Sequence, residues 1–365
     1  MKDVLEDVQY QKIPLSVIDT QGSFANIPFV YFFKNTSNSS EFMKSDALRS
    51  SFFKTVQQVP MLAGHLQADS RGNISVVVDP ENINLPEYKE SNSDVHFDEL
   101  EADGFSWRSW PKGINTAGPM TRANKEGVIK LANVHAIRLK QNSGFIFYIS
   151  MVHYVVDGPA HADIVQRWCL NYQWMANQKT GNPKPLAPFS TDRNLLKQSL
   201  SEVRTLVRKQ MGLTDKLFAG NVLIPKIVCS DLDQLESMTT EESLAKLVAE
   251  FGPVTCELTP SYIASHINMV DPLPTSFARP LARFIGHKSA MSFVYDVMPD
   301  MYKADFGHGR PAWVSPIKPF RANAVLLLTH KDATDGLDVF MSVYPEVMQE
   351  VLKNKFWTDI AKLIY

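Results

Sequence analysis

Cysteine is scarce in this chain: of 365 residues only Cys169, Cys229 and Cys256 are cysteines, an odd number, far apart, with no CxxC or Cys/His ligand spacing. That favours a reducing compartment and argues against a metal site. An excess of positive charge is also missing. Lys and Arg total 37 against 39 Asp and Glu, a net charge of −2, so there is no basic field to hold a phosphate backbone and nucleic acid is not an expected partner. The opening MKDVLEDVQYQK has neither the basic start nor the apolar stretch of a secretory signal. The longest apolar run, residues 145 to 156, is interrupted by Tyr148, Ser150, His153 and Tyr154 and is too short to span a bilayer. Internal repeats and low-complexity segments are lacking too. These absences describe a soluble, cytoplasmic protein without a membrane span, and at this length two domains are expected.

What is present is alternation of strand and helix signals. SEFMKSDALRSSFFKTVQQ carries Leu48, Phe52 and Val56 at four-residue spacing, an apolar stripe on a helix that Pro60 ends. ISVVV (74–78) reads as a strand, and 128–139 as a longer one. In GFIFYISMVHY, Phe145, Phe147, Ile149 and Met151 take one face of a strand and Ile146, Tyr148, Ser150 and Val152 the other, with His153 on the first face. The strand is expected to end at Asp157-Gly158-Pro159, and helical spacing resumes at Ile164, Trp168 and Tyr172. KTGNPKPLAPFSTD, rich in proline and small polar residues, marks an interdomain connection. Thr239 with Glu242 has capping-box spacing. AVLLLTH and LDVFMSV flank the turn-rich KDATDG, and a helix begins at Pro345. Strands interspersed with helices predict a mixed α/β fold.

His153, Asp157 and Gly158 form H-x-x-x-D-G at a strand end, where a side chain is held still. Imidazole titrates near neutrality, so it can take a proton from a hydroxyl or amine and return one to a departing thiolate. Asp157, next to a glycine that permits a sharp turn, suits scaffolding. A lone histidine on an apolar strand is more often a core residue than a base. A second pattern, DFGHGRP at 305–311, and VPMLAGHL ahead of both change those odds.

Taken in order, LSVIDT, PMLAGHL, HYVVDG, LFAGN at 217–221 and DFGHGRP resemble the BAHD family of plant and fungal CoA-dependent acyltransferases, the fungal members more closely. The resemblance implies two chloramphenicol-acetyltransferase-like domains with mixed sheets and flanking helices. Residues 1–185 would form the N-terminal domain, 186–210 a shortened crossover, and 211–365 the C-terminal domain. It implies acyl-CoA as co-substrate, no permanently bound cofactor or metal, a small alcohol or amine acceptor, a ternary complex and a monomer. His153 matches the general base, and Asp157 would pair with Arg208 to lock the turn. Asp305, Gly307 and Gly309 would be structural, and Tyr295, on the strand before DFG, is a candidate oxyanion donor.

The stretch from His153 to Gly220 is shorter than the family's, which leaves room for an incomplete second domain and keeps open a catalytically inactive relative that serves as a binding protein. A condensation domain of a peptide synthetase shares H-x-x-x-D-G but has a second histidine where this chain has Val152, and it lacks DFG. His65, His135, His161 and His266 lie in separate elements and read as ordinary surface or core histidines.

Overall fold

The strand that organises the molecule is buried at every one of its nine positions, Gly144–Val152. It lies within a computed structural model that describes residues 8–16, 19–20, 26–114, 123–176, 188–192, 217–218, 292–295, 301–316, 324–332 and 336–363. In chain order the first strands are β1 (Gln11–Pro14), β2 (Asn26–Lys34), β3 (His65–Ala68), β4 (Ile74–Val78), β5 (Glu87–Asn92), β6 (Ala132–Arg138) and β7 (Gly144–Val152). Among them lie helices α1 (Ser45–Gln58), α2 (Phe97–Ala102) and α3 (Gly158–Ala176). Further along come β8 (Phe189–Ser190), β9 (Leu217–Phe218), β10 (Ser292–Tyr295), β11 (Trp313–Pro316), β12 (Ala324–Thr329) and β13 (Leu337–Ser342). Helices α4 (Pro345–Lys353) and α5 (Lys355–Ile360) follow.

The main sheet has the order β11-β2-β7-β6-β5. β7 runs antiparallel to both β2 and β6, with Phe29 opposite Ile149 and Val134 opposite Ile149, while β5 joins β6 in parallel. Alternation then sorts the side chains. Phe145, Phe147, Ile149 and Met151 share a core with Phe52 and Val56 of α1 and with Ile164 and Trp168 of α3. Ile146 and Tyr148 face the opposite side, beneath Phe97 and Leu100 of α2. Each large apolar side chain so buried contributes about 1.5–3 kcal/mol. α1 and α3 are pinned as well as packed. The Trp168 indole donates to the Leu48 carbonyl and the Ser51 hydroxyl, both at 3.0 Å, and the Asn171 amide donates to Thr55 Oγ1 at 2.9 Å.

Two smaller sheets accompany it, β1-β4-β3 and β10-β12-β13, with a short parallel β8-β9 pair. β12 and β13 form the antiparallel hairpin expected around KDATDG, and Gly336 takes φ +101° in that connection.

The structure departs from the sequence reading at three places. The strand expected over 128–139 is confined to Ala132–Arg138. β7 stops at Val152, so His153 stands in a turn beyond the strand and not on its face. The fold also brings β11 from near the chain's end into the first sheet, antiparallel to β2 with Val314 opposite Tyr31. Met301, Tyr302, Ala304 and Phe306 accompany it into the main core.

Candidate active site

A strand, a turn and a capped helix present His153. Val152 N–H donates to the Leu131 carbonyl at 2.9 Å, fixing the last strand residue, and Val155 N–H closes the turn onto the Val152 carbonyl at 3.0 Å. His153, between these anchors, is partly exposed, whereas His135 and His161 are 3% and 0% exposed. Asp157 begins α3: its Oδ1 accepts from Ala160 N–H at 2.9 Å, and its carbonyl accepts from His161 N–H at 2.9 Å. Its carboxylate is therefore an N-cap, satisfying a donor that the first helical turn leaves open. Pro159, with no N–H to satisfy, fits the first turn. Asp157→Ala should cost about 1 kcal/mol, as caps of this kind do, read as a lower urea midpoint at unchanged m-value. Asp157→Asn, which keeps an accepting oxygen, should recover most of it.

The DFGHGRP segment is a turn organised by one carboxylate. Asp305 Oδ1 accepts from Gly307 N–H at 2.6 Å and Gly309 N–H at 3.0 Å. The two glycines hold φ of +86° and +96°, a conformation other residues adopt at a cost. Gln173 of α3 donates to the Asp305 carbonyl at 2.6 Å. Phe306 enters the core between Trp168 and Tyr172, with centroids 5.0 and 5.5 Å away. His308 lies against Phe42 at 5.1 Å and its Nε2 accepts from Met43 N–H at 3.4 Å. Burial pushes the His308 pKa down, partly offset by Asp305, so the ring stays neutral and able to accept.

α3 carries both patterns at opposite ends, Asp157-Gly158 at its start and Gln173 near its finish. At 1.5 Å per residue those ends are about 22 Å apart. The Asp305 turn thus stands well away from His153.

His161, in the first turn of α3, is a core residue. Its ring is fully buried, parallel to Tyr31 at 6.4 Å, with Nδ1 3.5 Å from the Tyr31 hydroxyl, which itself donates to Met301 Sδ at 2.7 Å. Among the described residues Nε2 has no hydrogen-bond partner. The Ile149 backbone exerts a slight upward pull, but burial dominates and lowers the pKa from 6.5 to about 4. Below pH 6.5 the unfolded chain therefore binds a proton that the folded one refuses. The stability is present above pH 6.5 and drains away as pH falls toward 4, by on the order of 3 kcal/mol. His161→Phe should lose less melting temperature than the parent between pH 7 and pH 4.5; an equal loss would remove His161 as the cause.

Of the other residues marked in the sequence, Arg208, Gly220 and Asn221 lie outside the described residues. Leu217 and Phe218 form β9, parallel to Phe189 and Ser190. Tyr295 closes β10, whose backbone pairs with β12. Among the described residues no group of three or more His, Cys, Asp or Glu could hold a metal, and no helix is long and apolar enough to cross a membrane. Gln173 escaped the sequence reading, because nothing at position 173 signals a partner at 305. Tyr31 escaped it too, within a run of apolar residues that carries no period.

The model of the Transferase family matches residues 5–211, more than half of the chain. No curated protein matches it by sequence. Among solved structures, the fold is similar to F. sporotrichioides TRI101 complexed with coenzyme A and T-2, at TM-score 0.63 and 14% identity, over 97% of this chain and 100% of that one. F. graminearum TRI101 complexed with coenzyme A and T-2 mycotoxin gives TM-score 0.63 at 12% identity, over 97% and 100%. Vinorine synthase gives 0.52 at 14%, over 95% and 97%. At these identities the likeness speaks for the fold, a chloramphenicol-acetyltransferase-like arrangement of mixed sheets and helices.

Proposed function

The chain belongs to the Transferase family, the BAHD acyltransferases, and on that premise we propose that it moves an acyl group from an acyl-CoA thioester to the hydroxyl or amine of a small hydrophobic acceptor, with His153 as general base. The observation that carries this reading is the placement of His153. It is the histidine of H-x-x-x-D-G, stands in the turn between a strand end and a capped helix, and keeps part of its surface open. A base needs both a fixed position and access to its substrate. Coenzyme A, bound in the TRI101 structures, is carried over to this chain as the carrier whose acyl thioester is the donor.

In the proposed reaction the neutral imidazole takes the proton of the acceptor O–H as the oxygen attacks the thioester carbonyl carbon. The carbonyl π pair moves to oxygen, giving a tetrahedral intermediate. That pair then returns, the C–S bond breaks, and the imidazolium passes its proton to the departing sulfur. The products are an ester and free CoA, with histidine restored. No acyl-enzyme forms, so both substrates must be bound together. Tyr295 is proposed to donate to the developing oxyanion, and Arg208 to pair with Asp157. The lobes 1–185 and 211–365, joined by 186–210, would supply the two sides of the cleft, with the segment 301–316 crossing back into the first lobe's sheet and core.

Incubation with radiolabelled acyl-CoA and a panel of alcohols and amines tests the reading. Acceptor-dependent release of free CoA by the parent protein, lost in His153→Ala, is the expected result. Binding of acyl-CoA without turnover by the parent would favour instead a member of the family that acts as a binding protein.

A further inference from the structure

At the end of β7 remote from His153 lies a polar cavity of about 490 Å³ lined by Asn35, Asn38, Ser40, Arg138, Gln141 and Asn142. Arg138 pairs across the sheet with Phe145, near the start of β7, so roughly 25 Å of strand separates it from the candidate base. Three of the lining residues, Asn38, Gln141 and Asn142, hold positive φ of 50°, 56° and 57°, backbone strain that surrounding structure must maintain. Arg138 is partly buried; its guanidinium lies over the Phe145 ring, 4.6 Å from the centroid, and among the described residues its hydrogen bonds go to neutral oxygens. It donates to the Met43 carbonyl at 2.8 Å, the Phe42 carbonyl at 3.2 Å, Ser45 Oγ at 3.5 Å and Asn142 Oδ1.

Those contacts orient the group without neutralising its charge. Among the described residues no carboxylate comes within ion-pair distance of Arg138, and the neighbouring acids serve other cations: Glu41 pairs with Lys44, and Asp98 and Glu101 pair with Lys34. Burial lowers the Arg138 pKa, a pull that the more distant Glu90 opposes. A half-buried cation left without a counter-charge is costly unless an anion supplies one. Amide and hydroxyl donors on the rim suit such a guest.

We propose that this cavity is an oxyanion site, taking a phosphate or carboxylate group against Arg138 with the side chains of Asn38, Ser40 and Gln141 as its rim. It is separate from the acyl-transfer site, and its existence does not depend on the reaction proposed for His153.

The test is thermal unfolding of the full chain against rising inorganic phosphate, and in a second arm succinate, with chloride adjusted to constant ionic strength. Beside the parent stands Gln141→Glu, which keeps all four hydrogen bonds of Arg138 and sets a tethered carboxylate at the rim. In at least one arm the parent should show a saturable rise in Tm of about 2 °C, as binding to the folded state requires, and Gln141→Glu should not respond. Whichever arm responds identifies the preferred anion. A parent flat in both arms, or a Gln141→Glu variant that rises equally, overturns the proposal.

Discussion

His153→Ala is expected to lower kcat for acyl transfer by about 10²–10⁴-fold, the usual worth of a positioned general acid–base. That range corresponds to about 3–5 kcal/mol of transition-state stabilisation. The loss should appear in kcat and kcat/KM alike, with KM for acyl-CoA little moved, because proton transfer occurs on the way to the transition state and not in ground-state binding. The protein itself should stay folded. His153 is partly exposed in a turn, and the strand and helix on either side are held by their own hydrogen bonds. Steady-state kinetics beside a circular-dichroism melt decides the matter: a variant that keeps a third or more of parental kcat with an unchanged melt would leave His153 without the role assigned to it.

Phe306→Ala should cost about 3–5 kcal/mol in unfolding free energy, the range for deleting a buried aromatic ring. The side chain is 1% exposed and touches four rings from three elements: Phe33 of β2 at 5.5 Å, Phe147 of β7 at 5.2 Å, and Trp168 and Tyr172 of α3. A cavity there has rigid walls on every side and little room to collapse. Phe306→Leu, which refills much of the volume, should lose clearly less. Urea denaturation gives the numbers, and a cost below about 1 kcal/mol for the alanine variant would contradict the packing described. Surviving folded protein should retain most of its turnover per molecule, since the ring lies toward the far end of α3 from His153.

Where the sequence was legible, local physics was unambiguous. The alternation from Phe145 to Val152, with proline and glycine just beyond, announced a strand running into a helix, and the structure has both. AVLLLTH and LDVFMSV around a turn-rich hexapeptide could hardly be anything but a hairpin. By contrast, NIPFVYFFK is apolar at nearly every position. A strand buried on both faces shows no period, so β2 was invisible until its two neighbours were known. The glycine beside Asp157 points to scaffolding, but the carboxylate's employment as a cap depends on where β7 ends, and strand ends are set by pairing partners elsewhere in the chain. His161 looked like any other histidine; only burial beside Tyr31 and Met301 makes it a group that resists protonation. The contact of Gln173 with Asp305 spans the chain, and no local pattern encodes such a pairing.

β11 lies beside β2 although almost the whole chain separates them in sequence. During synthesis on a ribosome, β2 through β7 emerge early, yet that flank of β2 stays bare until the residues around 313 leave the exit tunnel. Throughout that interval the nascent chain displays an open flank of Phe29, Tyr31 and their neighbours, the kind of edge that recruits foreign strands. Ribosome-stalled chains ending before position 301 should therefore be far more sensitive to protease, and more dependent on chaperones, than chains long enough for residues 313–316 to have left the tunnel.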